Sequence, residues 1–205
     1  MAEVRRKQDE KKTEELCRKF QEEVKAQQRK PVKLEDIMVW KSQYKHVESR
    51  YRFLILQGPS RYGKTRYAAM LFGLHRSLVI DCSAGKIPDF RPFDPLVHRC
   101  VILDEIPLAS VMTHKRVIQA PSDEVTLGTS ETQMHSYRKF FGRCAFVVTT
   151  NRFFEDFQKL DEPDKDWIRK NSHIFLVTDY LYDREGIDEK PLDDLQNGWE
   201  KLKFP

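Results

Sequence analysis

The stretch from Phe53 to Leu56 is apolar without interruption and breaks at Gly58-Pro59-Ser60-Arg61-Tyr62-Gly63-Lys64-Thr65. An apolar run closed by turn residues reads as a strand buried on both faces. Lys64 to His75 then reads as a helix, so the intervening residues fit G-x-x-x-x-G-K-[ST] between a strand and a helix. Such a turn is shaped for phosphate. Its glycines let backbone N–H groups converge, and the helix N-terminus adds positive potential. All eight residues, Gly58 to Thr65, are candidates for holding the nucleotide. Lys64 would meet the charge of a β- and γ-phosphate, and the Thr65 hydroxyl would hold Mg²⁺.

The same pattern recurs downstream. Ser77–Asp81, Arg99–Leu103, Cys144–Thr149 and His173–Val177 read as further strands. Leu108–Gln119, Phe153–Leu160 and Pro163–Asn171 read as helices. Val125–Gly128 and Gln133–Tyr137 flank the polar turn Thr129 to Thr132, which predicts a β-hairpin. Strands alternating with helices predict an α/β fold: a mainly parallel five-stranded sheet, helices on both faces, and the hairpin inserted. The chain divides into a charged helical segment over 1–48, a phosphate-loop domain over 49–180 and a tail over 181–205.

The first thirty residues contain no Gly or Pro and alternate in charge. Glu14 with Arg18 and Glu15 with Lys19 are helix-supporting pairs, and Leu16, Phe20 and Val24 form a short apolar stripe, which reads either as a solvated, partly frayed helix or as a helix that packs on a neighbouring subunit. A second helix is predicted around Leu34–His46. With 205 residues, 40% hydrophobic, the chain has enough apolar mass for a core. No apolar run reaches the length of a membrane span, and no secretory leader is evident. The four cysteines form no Cys-x-x-Cys, so neither a zinc module nor a disulfide framework is expected. An intracellular setting follows, with nucleus and cytoplasm undetermined. The net charge of +4 permits nucleic acid as a partner without requiring it.

Two more strand ends carry chemistry. Cys100 to Leu103 is apolar and ends in Asp104 and Glu105. Asp104 would hold Mg²⁺, and Glu105 would orient and deprotonate an attacking water. Val147-Val148-Thr149-Thr150-Asn151 places an amide where an open parallel sheet binds its ligand, outside the carboxyl ends of the strands. An adjacent Glu favours hydrolysis over transfer to a small acceptor. A phosphoryl-transferring kinase and a nucleotide-dependent scaffold remain alternatives.

The order of these pieces, Gly58 to Thr65, Ile102 to Glu105, a hairpin, then Val148 to Asn151, resembles the superfamily 3 helicase domain. It is most similar to the ATPase domain of Rep proteins of circular single-stranded DNA viruses and their plasmid and genome-integrated relatives. The resemblance covers roughly residues 50 to 180 and implies an AAA+-like P-loop NTPase that uses ATP and Mg²⁺. It further implies a hexameric ring and translocation on single-stranded DNA. Asn151 then matches the family's sensor residue, and Arg169 stands where an arginine finger would act on a neighbour's ATP. The hairpin would face DNA, with His135, Arg138 and Lys139 as its basic residues, although Glu131 near the tip would repel phosphate. The family's paired histidines and catalytic tyrosine for nicking are not found, so no endonuclease activity is expected.

Overall fold

The computed structural model describes residues 33–128 and 136–182, together with Glu15, Arg18, Lys19 and Pro31. The stripe of Leu16, Phe20 and Val24 and the tail beyond Tyr182 lie outside the described residues. Glu15 and Lys19 pair at 3.1 Å, as their i,i+4 spacing predicts.

Five strands form one sheet: β1 (Phe53–Gln57), β2 (Ser77–Asp81), β3 (Cys100–Asp104), β6 (Ala145–Thr150) and β7 (Ser172–Leu176). Their order is β2-β3-β6-β1-β7, and every pairing is parallel. The central strands β1 and β6 are buried along their whole length, whereas the edge strand β2 is mostly not. This accounts for their different sequences. A strand covered on both faces needs an unbroken apolar run, and an edge strand does not.

Alternation along the strands separates two cores. Leu54, Leu56, Ile102 and Val147 face one way and meet Tyr67, Ala68 and Ala69 of α2 (Lys64–Phe72). On that face α1 (Glu35–Ser42) also docks, burying Ile37 and Trp40. The Trp40 indole donates to the Arg52 carbonyl at 2.7 Å, and its ring meets Tyr44 and Phe72 edge-on. Fully burying one such side chain stabilises by roughly 1.5–3 kcal/mol. This helix, assigned by sequence to the N-terminal segment, is thus part of the sheet domain's core.

The other face carries Phe53, Ile55, Val101, Leu103, Phe146 and Val148. It is covered by α3 (Leu108–Thr113), α4 (Lys115–Ile118), α5 (Phe153–Lys159) and α6 (Glu162–Asn171). The single helix expected over Leu108–Gln119 is interrupted at His114, whose φ of −112° is not helical. A separate hairpin pairs β4 (Glu124–Gly128) with β5 (Ser136–Phe140). β5 continues past the expected end at Tyr137, because Tyr137 and Lys139 lie opposite Leu127 and Val125 on the inward face. Residues 129–135, which include His135 and the expected tip, lie outside the described residues.

Candidate nucleotide site

Gly63 begins the construction. Its φ of +85° lies in the left-handed region, and it caps α2 at the residue before Lys64. Only glycine adopts that turn without strain. Gly58 answers a second demand, since a Cβ there would lie 2.5 Å from the Val177 carbonyl oxygen. The two fixed glycines of the motif therefore have distinct physical reasons.

The helix start carries Lys64 back over the loop. Its ammonium donates to the carbonyls of Gly58 and Pro59, each at 2.8 Å, and to Asn151 Oδ1 at 2.6 Å. The residue is only 5% exposed. Burial lowers its pKa below lysine's ordinary value, while the negative charges of Glu105 and Asp104 oppose that shift. Asn151 also donates through Nδ2 to Ser60 Oγ at 2.8 Å, so one amide joins the end of β6 to both sides of the loop.

Beside this, Thr65 Oγ1 donates to Asp104 Oδ1 at 2.6 Å, and the Thr149 hydroxyl donates to the same oxygen. The sheet register explains the meeting. Asp104 pairs with Thr149 across β3 and β6, and Thr149 pairs with Leu56 of β1 on the face that α2 covers. A carboxylate and hydroxyls are hard oxygen donors, the set that suits magnesium. The buried ammonium at the start of a nine-residue helix suits phosphate. The residues present therefore fit the phosphates of a nucleotide and a magnesium ion.

Glu105 is held in an unusual backbone, with φ of +55°. For a glutamate this is strained by about 1–3 kcal/mol, and such strain persists where surrounding structure enforces it. Here its N–H donates to the Thr149 carbonyl at 3.0 Å. Burial raises its carboxyl pKa above glutamate's ordinary value. Asp104 adds to the rise, while Lys64 and Asn151 oppose it.

Three groups at the site went unread in the sequence. Gln57 donates to the Asn151 carbonyl at 3.1 Å and accepts from the Phe153 N–H at 2.9 Å, fixing the turn that aims Asn151. Thr149 faces the acidic end, bonded to Asp104, whereas the Thr150 hydroxyl accepts from the Arg152 N–H at 3.1 Å. Gln57 and Thr149 are polar residues at the close of otherwise apolar strands, and that exception is the signal that would have found them. The third is Tyr180-Leu181-Tyr182. The Leu181 N–H donates to the Tyr62 carbonyl at 3.0 Å, Tyr180 stacks on Tyr62 at 4.5 Å, and the Tyr182 hydroxyl donates to the Arg61 carbonyl at 3.3 Å. Tyr182 also forms an isolated antiparallel bridge with Pro31.

Of the remaining expected residues, Arg169, Arg138 and Lys139 are not gathered here. Arg169 lies on α6, half exposed, over the Phe157 ring and 4.0 Å from Glu162. Arg138 points outward, 3.9 Å from Glu124. Lys139, expected among the hairpin's basic residues toward DNA, is turned inward by the strand's alternation. Its ammonium donates to the carbonyls of Arg91 at 2.8 Å and Phe93 at 2.6 Å.

No protein-family model matches the chain, and no curated protein matches its sequence. Among solved structures, the S. cerevisiae Hsp104-ADP complex is similar in part, with a TM-score of 0.38 at 14% identity. The match covers 69% of this chain and 31% of that one. Among the described residues, no helix is long and apolar enough to cross a membrane.

Proposed function

We propose that this chain is a P-loop ATPase, with Gly58 to Thr65 and Asp104 holding ATP and Mg²⁺ and Glu105 serving as general base. The observation that carries the reading is the joining of residues far apart in sequence: Lys64 bonds to Asn151, and Thr65 bonds to Asp104. Lys64 would exchange carbonyl partners for the β- and γ-phosphate charge. Thr65 and Asp104 would hold the magnesium ion, which neutralises charge across the phosphates. Glu105 would take the proton of the attacking water. Its raised pKa favours this, since a base works best when its pKa approaches the working pH. Asn151, bonded to Lys64 and Ser60, would position the water and the γ-phosphate side of the loop.

The finer reading couples this hydrolysis to single-stranded DNA in a ring, with Arg169 supplied by a neighbouring subunit. It rests on the order of motifs resembling superfamily 3 helicases and on the exposure of Arg169. Phosphate release measured with and without single-stranded DNA tests both levels. Turnover that falls roughly a hundredfold in Glu105→Gln, with ATP affinity kept, is the expected result. Normal turnover in that variant would overturn the assignment of the base. Turnover indifferent to DNA, or phosphate transferred to a small acceptor, would overturn the motor reading.

A further inference from the structure

The amino ends of the strands carry a second charged feature. Arg76 immediately precedes β2, Arg99 immediately precedes β3, and Arg143 lies in the turn before β6. With Lys41 of α1 they line a single cleft of about 510 Å³, flanked by Tyr44 and Phe72. The ladder continues through this edge. The Arg99 N–H donates to the Arg76 carbonyl at 2.7 Å, and the Ala145 N–H donates to the Arg99 carbonyl at 2.9 Å. Two arginines are therefore neighbours on adjacent strands, an arrangement that destabilises a sheet.

These cations differ from a second group of exposed or half-exposed cations on the same domain. Lys86, Arg91, Lys115, Arg116, Lys165 and Lys170 each pair with a carboxylate. Among the described residues, none of the four cleft cations forms an ion pair. Their bonds go to backbone carbonyls: Arg99 to Pro95 at 2.8 Å, Arg143 to Lys45 at 3.1 Å, and Lys41 to Leu71. Arg143 further sits at a φ of +60°, strained for a side chain of its size. Lys41 also lies over the Phe72 ring. That capping role accounts for Lys41 but not for the arginines.

We propose that this cleft docks the phosphate backbone of single-stranded nucleic acid, at a site separate from both the nucleotide site and the hairpin. From β2 to β6 is two strand spacings, about 10 Å, so the three arginines enter the cleft along a line on which successive phosphates of a chain can lie. Guanidinium is the cation best matched to phosphate oxygens. The flanking rings are already engaged, Tyr44 stacked on Tyr51 and Phe72 facing the Lys41 ammonium, so the recognition rests on the cations. The proposal does not depend on the ATPase reading.

The test is fluorescence anisotropy of a labelled oligothymidylate titrated with the full chain over a range of salt. R76Q/R99Q/R143Q should reduce the slope of log affinity against log salt by about 2, at about 0.7 per phosphate contact. Affinity at low salt should fall on the order of a hundredfold. R76K/R99K/R143K should keep most of the slope. Arg76→Gln alone, whose side chain holds no structural bond, should lose about 0.7 of slope and guards against a triple variant that fails to fold. Binding of a fluorescent ATP analogue should be equal in all of them. An unchanged slope in Arg76→Gln and in the triple variant would overturn the site. Inorganic polyphosphate displacing the oligonucleotide at equal phosphate concentration would overturn its assignment to nucleic acid.

Discussion

The two ends of this sheet treat charge in opposite ways. At the carboxyl end, Lys64, Asp104 and Asn151 are buried or half-buried and bonded to one another or to the loop. At the amino end, Arg76, Arg99 and Arg143 are exposed and none faces a carboxylate partner. The strands between are the same strands, and their register brings together both sets. What differs is how far each set is enclosed. The carboxyl end is capped by α2 and by the Tyr180 to Tyr182 segment, so its charges are taken out of water and must be paired. The amino end is open, so its charges stay solvated and remain available to an anion from outside the chain.

The contrast predicts unequal consequences for similar changes. Lys64→Ala should weaken ATP-analogue binding on the order of a hundredfold, because it removes charge-assisted bonds in a desolvated place. Arg76→Gln should leave that affinity unchanged. Isothermal titration of both variants checks the pair, and equal losses would erase the distinction between the ends.

Glycines give a second comparison. In Gly58→Ala the new Cβ meets the Val177 backbone at 2.5 Å, which has no room to retreat. We expect a loss of about 1–3 kcal/mol in urea denaturation. In Gly142→Ala, at the rim of the basic cleft, the obstacle is the Phe140 ring at 2.3 Å. That ring is 44% exposed and free to swing away, so the loss should stay under about 0.5 kcal/mol. Comparable losses would mean that the amino end is packed as tightly as the other.

The smallest expected effect concerns pH. Folded Glu105 keeps its proton to a higher pH than an unfolded glutamate does, chiefly through burial. Its protonation therefore favours folding at low pH, and that contribution is lost as pH rises through the raised value. Glu105→Gln should then melt a little above the wild type at neutral pH. The difference should shrink towards zero as pH falls below glutamate's ordinary range. A difference constant across pH would assign the effect to the strained backbone instead.

The phosphate loop, Asp104, Glu105 and Asn151 were legible in the sequence because each ends a recognisable apolar strand. The strands of the sheet lie within one residue of their expected bounds for the same reason, whereas β5 ends three residues beyond its own. Gln57 and Thr149 were not, since their roles appear only once β6 lies between β1 and β3. The carbonyl partners of Lys139 were not legible either, since they follow from the inward parity that it shares with Tyr137 and not from its charge. Arg76, Arg99 and Arg143 are 23 and 44 positions apart (99 minus 76, 143 minus 99), and nothing local marks them as neighbours. Register alone assembles that cleft.

The bridge between Tyr182 and Pro31 has a mechanical consequence. Whatever precedes residue 31 and whatever follows residue 182 are attached at the same place, beside Gly63. A pull on the chain beyond residue 182 is delivered first to the Tyr62 and Arg61 carbonyls, before any strand of the sheet bears load. Tension from that flank would therefore reach the phosphate loop as its first point of yield.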